Sequence, residues 1–156
     1  MKVLSFSHIG VQQLRDRNEM VISATVSNEN GQPKTSVRTG SNQQTLSIPA
    51  RAEGQGSAIN GGELLFLALA TCYSNDIYRE AKNLNIPIDS VQVEVTGSFG
   101  NRGEPAQDIR YHATIKSSAP REQVLALMRH TDTVAEIHNT LRQANRVILD
   151  ECTVVS

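Results

Sequence analysis

The stretch from Asn60 to Leu84, NGGELLFLALATCYSNDIYREAKNL, constrains the fold more than any other part of the chain. It is the longest strongly apolar segment, and it carries Cys72, one of only two cysteines. Asn60 with Glu63 three residues later is a capping-box pattern. The Asn oxygen can accept an orphan amide of the first turn, and the Glu can reach back to the cap amide. Leu64 to Ala70 is apolar all round, which predicts a helix buried on most sides. After Cys72 the composition turns polar, with Asn75, Asp76, Arg79, Glu80 and Lys82. The predicted helix therefore begins inside a core and ends near water. Leu84, Asn85 and Pro87 stop it, because proline cannot continue a helix and disfavours helical backbone at the residue before it.

Cys72 sits where the composition changes. On a helix, residues three and four positions away share its face, so Ala68 and Leu69 lie behind it and Asn75 and Asp76 ahead, with Arg79 further on. A reactive cysteine needs such a setting: access for a small substrate, limited water, and a cation that favours thiolate. Arg79 is a candidate for that cation. Asp76 acts the other way unless Arg79 pairs with it. The competing reading is a small, buried, inert side chain, the commoner fate of a free cysteine.

The run INGGELLFLALATCYSNDI, followed by IPIDSVQVEVTGSF, resembles the OsmC/Ohr family of thiol-dependent hydroperoxide reductases. That family has an Asn-Pro-Glu-Glu-Leu-like helix start, with a cysteine in the same helix spaced as Asn60 and Cys72 are here. A strand alternating valine with acidic residues follows. The resemblance implies Cys72 as the peroxidatic thiol, and an intertwined homodimer with the cysteine sites at the subunit interface. The family often has an Arg-x-Glu-like stretch just before the helix, and Arg51-Ala52-Glu53 matches it with about one extra residue in between. Arg51 is therefore a second candidate, to favour thiolate or to bind a substrate carboxylate. The alternative is an exposed loop arginine.

A chain of 156 residues is long enough for a proper core and is expected to form one domain, 1–156. Within it, 1–48 would hold the N-terminal strands, 60–84 the central helix and 91–156 further strands and helices. The formal net charge of −1 leaves no basic surface to argue for nucleic acid. Tryptophan is absent and aromatics are few, which removes a base-stacking platform. No run approaches the roughly 18 apolar residues of a membrane span. Met1 to Gly10 lacks the apolar core of a signal peptide. Cys72 and Cys152 form neither a disulfide framework nor a zinc pattern, so no metal or cofactor is expected. A reduced, cytoplasmic setting is the default for such a chain.

Lys2 to Val11 is expected to open with a strand, and LRDRN at Leu14 to Asn18 to form a charged turn. Met20 to Val26 reads as a strand by its β-branched content, and Asn28 to Gly31 as a turn. Lys34 to Thr39 and Gln43 to Ile48 would complete an antiparallel meander. Pro49 to Ile59 is a glycine-bearing loop of the kind that borders sites. Val91, Val93 and Val95 alternate with polar residues, as do Ile109, Tyr111, Ala113 and Ile115, so these are paired strands around a glycine-rich loop. A second helix opens at Ser118-Ala119-Pro120, with Val124, Leu125, Leu127 and Met128 inward and His130 at its end. A third runs from Thr133 to Gln143, with Thr133 and Glu136 as a capping box and Ile137, Thr140 and Leu141 inward. His130 and His138 are expected at the surface or at helix ends. Val147 to Val155 reads as a last strand that carries Cys152. Runs of strands and helices without strict alternation make the fold α+β, with a long buried central helix.

The chain departs from the OsmC/Ohr pattern at two places. The family's second cysteine, which condenses with the sulfenic acid of the first, matches Ala135, and the proline after it matches Glu136. The first acidic residue of the family's helix start matches Gly62, while Glu63 is explained by capping. The family's N-terminal arginine has Arg15 and Arg17 as candidates. Cys152 could replace the lost partner only if its Cα came within about 7 Å of that of Cys72. The expected function is OsmC-like, thiol-dependent reduction of organic hydroperoxides, with a small apolar hydroperoxide as substrate and an external thiol as reductant. The alternative is an OsmC-fold small-molecule binding or regulatory protein that has lost the redox chemistry.

Overall fold

The computed structural model describes residues 20–150 and 152–154. The expected strand over 2–11, the turn over 14–18, and Arg15 and Arg17 lie outside these residues. The chain divides into two units, one ending at Ile59 and the other beginning at Asn60.

The first unit is an antiparallel sheet in the order β1 (Ile22–Glu29), β2 (Gln32–Thr39), β3 (Asn42–Gln44). Glu29 pairs with Gln32, which leaves Asn30 and Gly31 as a two-residue connection with φ of 53° and 76°. Asn-Gly tolerates positive φ at both positions, and this turn matches the twist of the flanking strands. β1 is exposed along its whole length. β3 ends at Gln44, well short of the expected Ile48: Leu46 is not on a strand, and its carbonyl instead accepts the Thr35 hydroxyl. The Pro49–Ile59 loop is pinched by a bridge between Ala50 and Ser57.

The second unit opens with α1 (Gly61–Leu84), and its capping box is complete. Glu63 N donates to Asn60 Oδ1 at 3.0 Å, and Asn60 N donates to Glu63 Oε2 at 2.7 Å. Asn85 closes the helix in the left-handed conformation, φ 55°, and Ile86 N donates to Ala81 O at 2.9 Å. This C-terminal geometry satisfies carbonyls that the last turn would leave unpaired. β4 (Ser90–Phe99) and β5 (Ala106–Lys116) then form an antiparallel hairpin with an irregularity between Thr96 and Ser98. α2 (Arg121–Val134) and α3 (Glu136–Arg142) follow. The core lies between α1 and these elements. Tyr73, Ile77 and Ala81 repeat at four-residue spacing on α1 and meet Leu127 and Ala135, with Val91, Val93 and Ile115 packed from the sheet. The fold is α+β, with antiparallel sheets and three helices among the described residues. No helix among them is long and apolar enough to cross a membrane.

Several expectations are corrected. The apolar start of α1 is not buried on most sides: Leu69 is 3% exposed, but Leu67 is 57% exposed. β4 and α2 of the same unit pack against α1. α2 runs through His130 to Val134, and Thr133 does not cap α3. Its hydroxyl donates to His130 O at 2.7 Å inside α2, and Ala135, with φ −68° and ψ 105°, is the break between the helices. Ala135 and His138 face inward from α3, whereas Ile137 and Leu141 are 37% and 40% exposed and Thr140 is exposed. Residues 147–150 and 152–154 form no strand, and Val147 is 99% exposed. β-branched content favours a strand only where a neighbouring strand accepts its hydrogen bonds, and none of the described strands pairs with this segment.

Candidate functional site

α1 holds Cys72 half-buried at the edge of the core, one residue before the buried Tyr73. The 3.6-residue period places Asp76 one turn on along the same face. The Cys72 thiol donates to Asp76 Oδ2 at 3.4 Å. Asp76 is 4% exposed, a buried carboxylate that needs partners. Arg79 supplies one, with Nη1 2.8 Å from Asp76 Oδ1. The same guanidinium lies 3.0 Å from Glu80 and 3.5 Å from Glu136. Arg79 is thus the cation of this cluster, but its charge is spent on three carboxylates rather than on the sulfur.

The electrostatics follow from that. Burial pushes the Cys72 thiol above its ordinary value; Asp76 and Glu136 push the same way, and the Ile137 N–H opposes them. Burial also raises the Asp76 carboxyl, against the pull of the Cys72 thiol and Arg79. Burial disfavours the charged form of both groups, and their contact places Asp76 to accept the proton when the sulfur loses it. Donor atoms of Cys72, Asp76 and Glu136 lie within 4.8 Å of one another, a set that matches a cation in number. The carboxylates already have Arg79 as their positive charge, and a thiol with a raised pKa is a poor metal ligand, because the thiolate is the ligating form.

Ala135 stands where α3 begins, fully buried in the core against which Cys72 packs, and Glu136 and Ile137 beside it face the sulfur. The position matched to a second cysteine is therefore next to Cys72 and is filled by a methyl group. At Gly62 a Cβ would come within 2.8 Å of the Phe99 ring, which stacks on Phe66 with centroids 5.9 Å apart. An aromatic pair fills the space beside the helix start where an acidic side chain was expected to be missing. Arg51 belongs to the first unit and is exposed on its loop, its N–H donating to Gly56 O at 3.2 Å. Cys152 is exposed, and both cysteines are free.

The residue that sequence reasoning missed is His138. It is 5% exposed, not at the surface. Its ring lies between Tyr73 and Tyr111, with centroids 5.9 and 4.8 Å away. The Tyr111 hydroxyl donates to Asp132, and Arg142 pairs with the same carboxylate at 2.5 Å. Neither ring nitrogen of His138 has a hydrogen-bond partner among the described residues. Leaving such a group unpaired costs about 1–3 kcal/mol. The one available signal was its position three residues after Ala135, on the inward side of α3.

Burial, and then the charge of Arg142, lower the His138 pKa below its ordinary 6.5. The unfolded chain therefore binds more protons than the folded one once the pH drops below that value, and stability falls with it. Urea unfolding between about pH 7 and 5 is expected to show a slope of up to about 1.4 kcal/mol per pH unit from this group. His138→Leu should remove that slope, and an unchanged slope would contradict the assignment.

Residues 54–150 match the sequence profile of the family described as OsmC-like protein. No curated protein matches the chain in sequence. Among solved structures, an OsmC-like protein from Mycoplasma pneumoniae is similar with a TM-score of 0.57 and 22% identity, over 81% of this chain and 89% of that one. An OsmC-like hydroperoxide resistance protein from Jannaschia sp. CCS1 is similar with a TM-score of 0.50 and 22% identity, over 82% and 90%. An OsmC-like protein of unknown function from Vibrio cholerae is similar with a TM-score of 0.50 and 12% identity, over 80% and 94%. At these identities the likeness is one of fold.

Proposed function

The chain belongs to the OsmC-like protein family, and from that premise we propose that it reduces organic hydroperoxides in defence against peroxide stress, with Cys72 as the attacking thiol. The observation that carries the reading is the contact between the Cys72 thiol and the buried Asp76 carboxylate at 3.4 Å. A hydroperoxide resistance protein among the fold relatives agrees with it. In the proposed step Asp76 takes the proton as sulfur attacks the terminal oxygen of the hydroperoxide. The O–O bond breaks, sulfur keeps the hydroxyl as a sulfenic acid, and the alkoxide leaves as an alcohol with the proton that Asp76 returns. Sulfur is oxidised and the peroxide reduced. With Ala135 at the second position, a small external thiol condenses with the sulfenic acid and releases water. A further thiol then attacks the mixed disulfide and regenerates Cys72. Such a cycle suits a compartment rich in reduced thiols, the cytoplasm.

Arg79 acts in this reading as a positioning residue, holding Asp76 towards the sulfur. Arg51 is carried, from the resemblance of Arg51-Ala52-Glu53 alone, as a candidate to favour a thiolate or to bind a substrate carboxylate. A homodimer is part of the same proposal: the exposed Leu67 on α1, and Ile22 and Val26 on β1, are apolar surface that a second copy would cover.

A second reading, a binding protein without redox chemistry, is favoured by one observation: the Cys72 thiol is raised, and Arg79 beside it is paired with three carboxylates. Intact mass after addition of an organic hydroperoxide, with dimedone as sulfenic-acid trap, separates the two. A dimedone adduct on the wild type that disappears in Cys72→Ser and persists in Cys152→Ser is expected. Arg51→Gln should slow adduct formation without abolishing it. An unmodified wild-type protein would leave the binding reading in possession.

A further inference from the structure

Resting on the reading of Cys72 as the attacking thiol, we infer that Glu136 selects by charge the molecules that reach it, so that the external reductant is a small thiol bearing an ammonium group rather than an anionic one. The Cys72 sulfur and carboxylate oxygens of Asp76 and Glu136 lie within 4.8 Å of one another. Three carboxylates surround Arg79, and they differ in access to water. The side chains of Asp76 and Glu80 are 5% and 14% exposed, whereas that of Glu136 is 67% exposed. Cys72 itself is half-buried. Glu136 is thus the carboxylate beside the sulfur that stands in water, where an incoming molecule meets it.

The backbone fixes this placement. Glu136 is the first residue of α3, directly after the break at the buried Ala135, and the N–H of the next residue, Ile137, bonds to the sulfur. One guanidinium serves three carboxylates, so the cluster carries an excess of negative charge. The nearby His130 ring reaches Glu80, 3.2 Å away. In the reducing step the sulfur of the incoming thiol bonds to the Cys72 sulfur and the S–O bond breaks. The hydroxyl leaves as water with the thiol's proton. The sulfenic sulfur is reduced and the incoming thiol is oxidised into the mixed disulfide. A negative group on that thiol is repelled by Glu136 as the two sulfurs meet, and an ammonium group is attracted.

The test uses the Cys152→Ser protein, with and without Glu136→Gln, at low salt. In the first arm reduced Cys72 reacts with 2-(trimethylammonium)ethyl or 2-sulfonatoethyl methanethiosulfonate, which needs no peroxide. A unit charge about 5 Å from another in water changes a rate by about fourfold, in opposite directions for cation and anion. Glu136→Gln is therefore expected to lower the cation-to-anion rate ratio by about tenfold. In about 1 M salt, where screening acts within about 3 Å, most of the difference between the two proteins should vanish. In the second arm the Cys72 sulfenic acid, formed with an organic hydroperoxide, is reduced by cysteamine or by 2-mercaptoethanesulfonate, with rates taken per thiolate. The same tenfold change on Glu136→Gln is expected. An unchanged ratio in either arm would overturn the inference, as would a Cys72 that neither methanethiosulfonate modifies. If the first arm shows the expected change and no sulfenic acid forms, the peroxide reading fails, and the reductant assigned here fails with it while the charge selection at Cys72 stands.

Discussion

Ile77→Ala is expected to destabilise the protein by about 2–5 kcal/mol, the usual cost of emptying a large aliphatic position in a closed core. Ile77 is fully buried at the centre of the stripe formed by Tyr73, Ile77 and Ala81, with Leu127 of α2 on the same cluster. The lost volume has nowhere to collapse, because α1 is held at both ends by the Asn60 cap and the Asn85 turn. Against a typical total stability of about 5–15 kcal/mol, a loss of this size is decisive. Ile77→Val should cost only about 0.5–1.5 kcal/mol, because a smaller void is left. Urea unfolding of both variants checks the pair. Costs below about 0.5 kcal/mol for the alanine variant are what surface substitutions produce, and would mean that the stripe is not the core.

Asp76→Asn is expected to slow oxidation of Cys72 by an organic hydroperoxide by about a hundredfold, the low end of what a positioned proton acceptor contributes. The same substitution removes a negative charge that raises the thiol. Thiolate should then form at a lower pH, and alkylation by iodoacetamide should shift to lower pH with it. The two readouts move in opposite directions only if Asp76 acts as the base. If the carboxylate merely suppresses the thiolate, both alkylation and peroxide oxidation will speed up in the variant. Arg79 keeps Glu80 and Glu136 as partners when Asp76 is neutralised, so the cluster does not lose its cation.

Local signals in the sequence were strongest where the chemistry is local. The Asn60–Glu63 box and the stop at Asn85 each depend on a few neighbouring residues and form as read, while the turn expected over Asn28 to Gly31 narrows to Asn30-Gly31 because Asn28 and Glu29 pair within β1. The alternating valines of β4 and the pairing with β5 follow from a period that a single sequence displays. The placement of Cys72 and Asp76 on one helical face was legible for the same reason. The expectations that failed needed information from elsewhere in the chain. Residues 147–150 have strand-forming side chains but no strand to pair with. Thr133 and Glu136 have cap spacing, yet α2 continues past Thr133 because its hydroxyl bonds back to His130 O.

The sequence by itself determined the α+β class, the helix that carries Cys72 and the family to which the chain belongs. Those properties are written in spacing and residue type along the chain. The tertiary structure alone decided where the Arg79 charge goes, since Glu136 reaches it from another helix. It alone put His138 between two tyrosines from α1 and β5 with its nitrogens unpaired. It also placed the Phe99 ring against Gly62. Charge pairing and desolvation depend on distances between residues far apart in sequence, and only packing sets those distances.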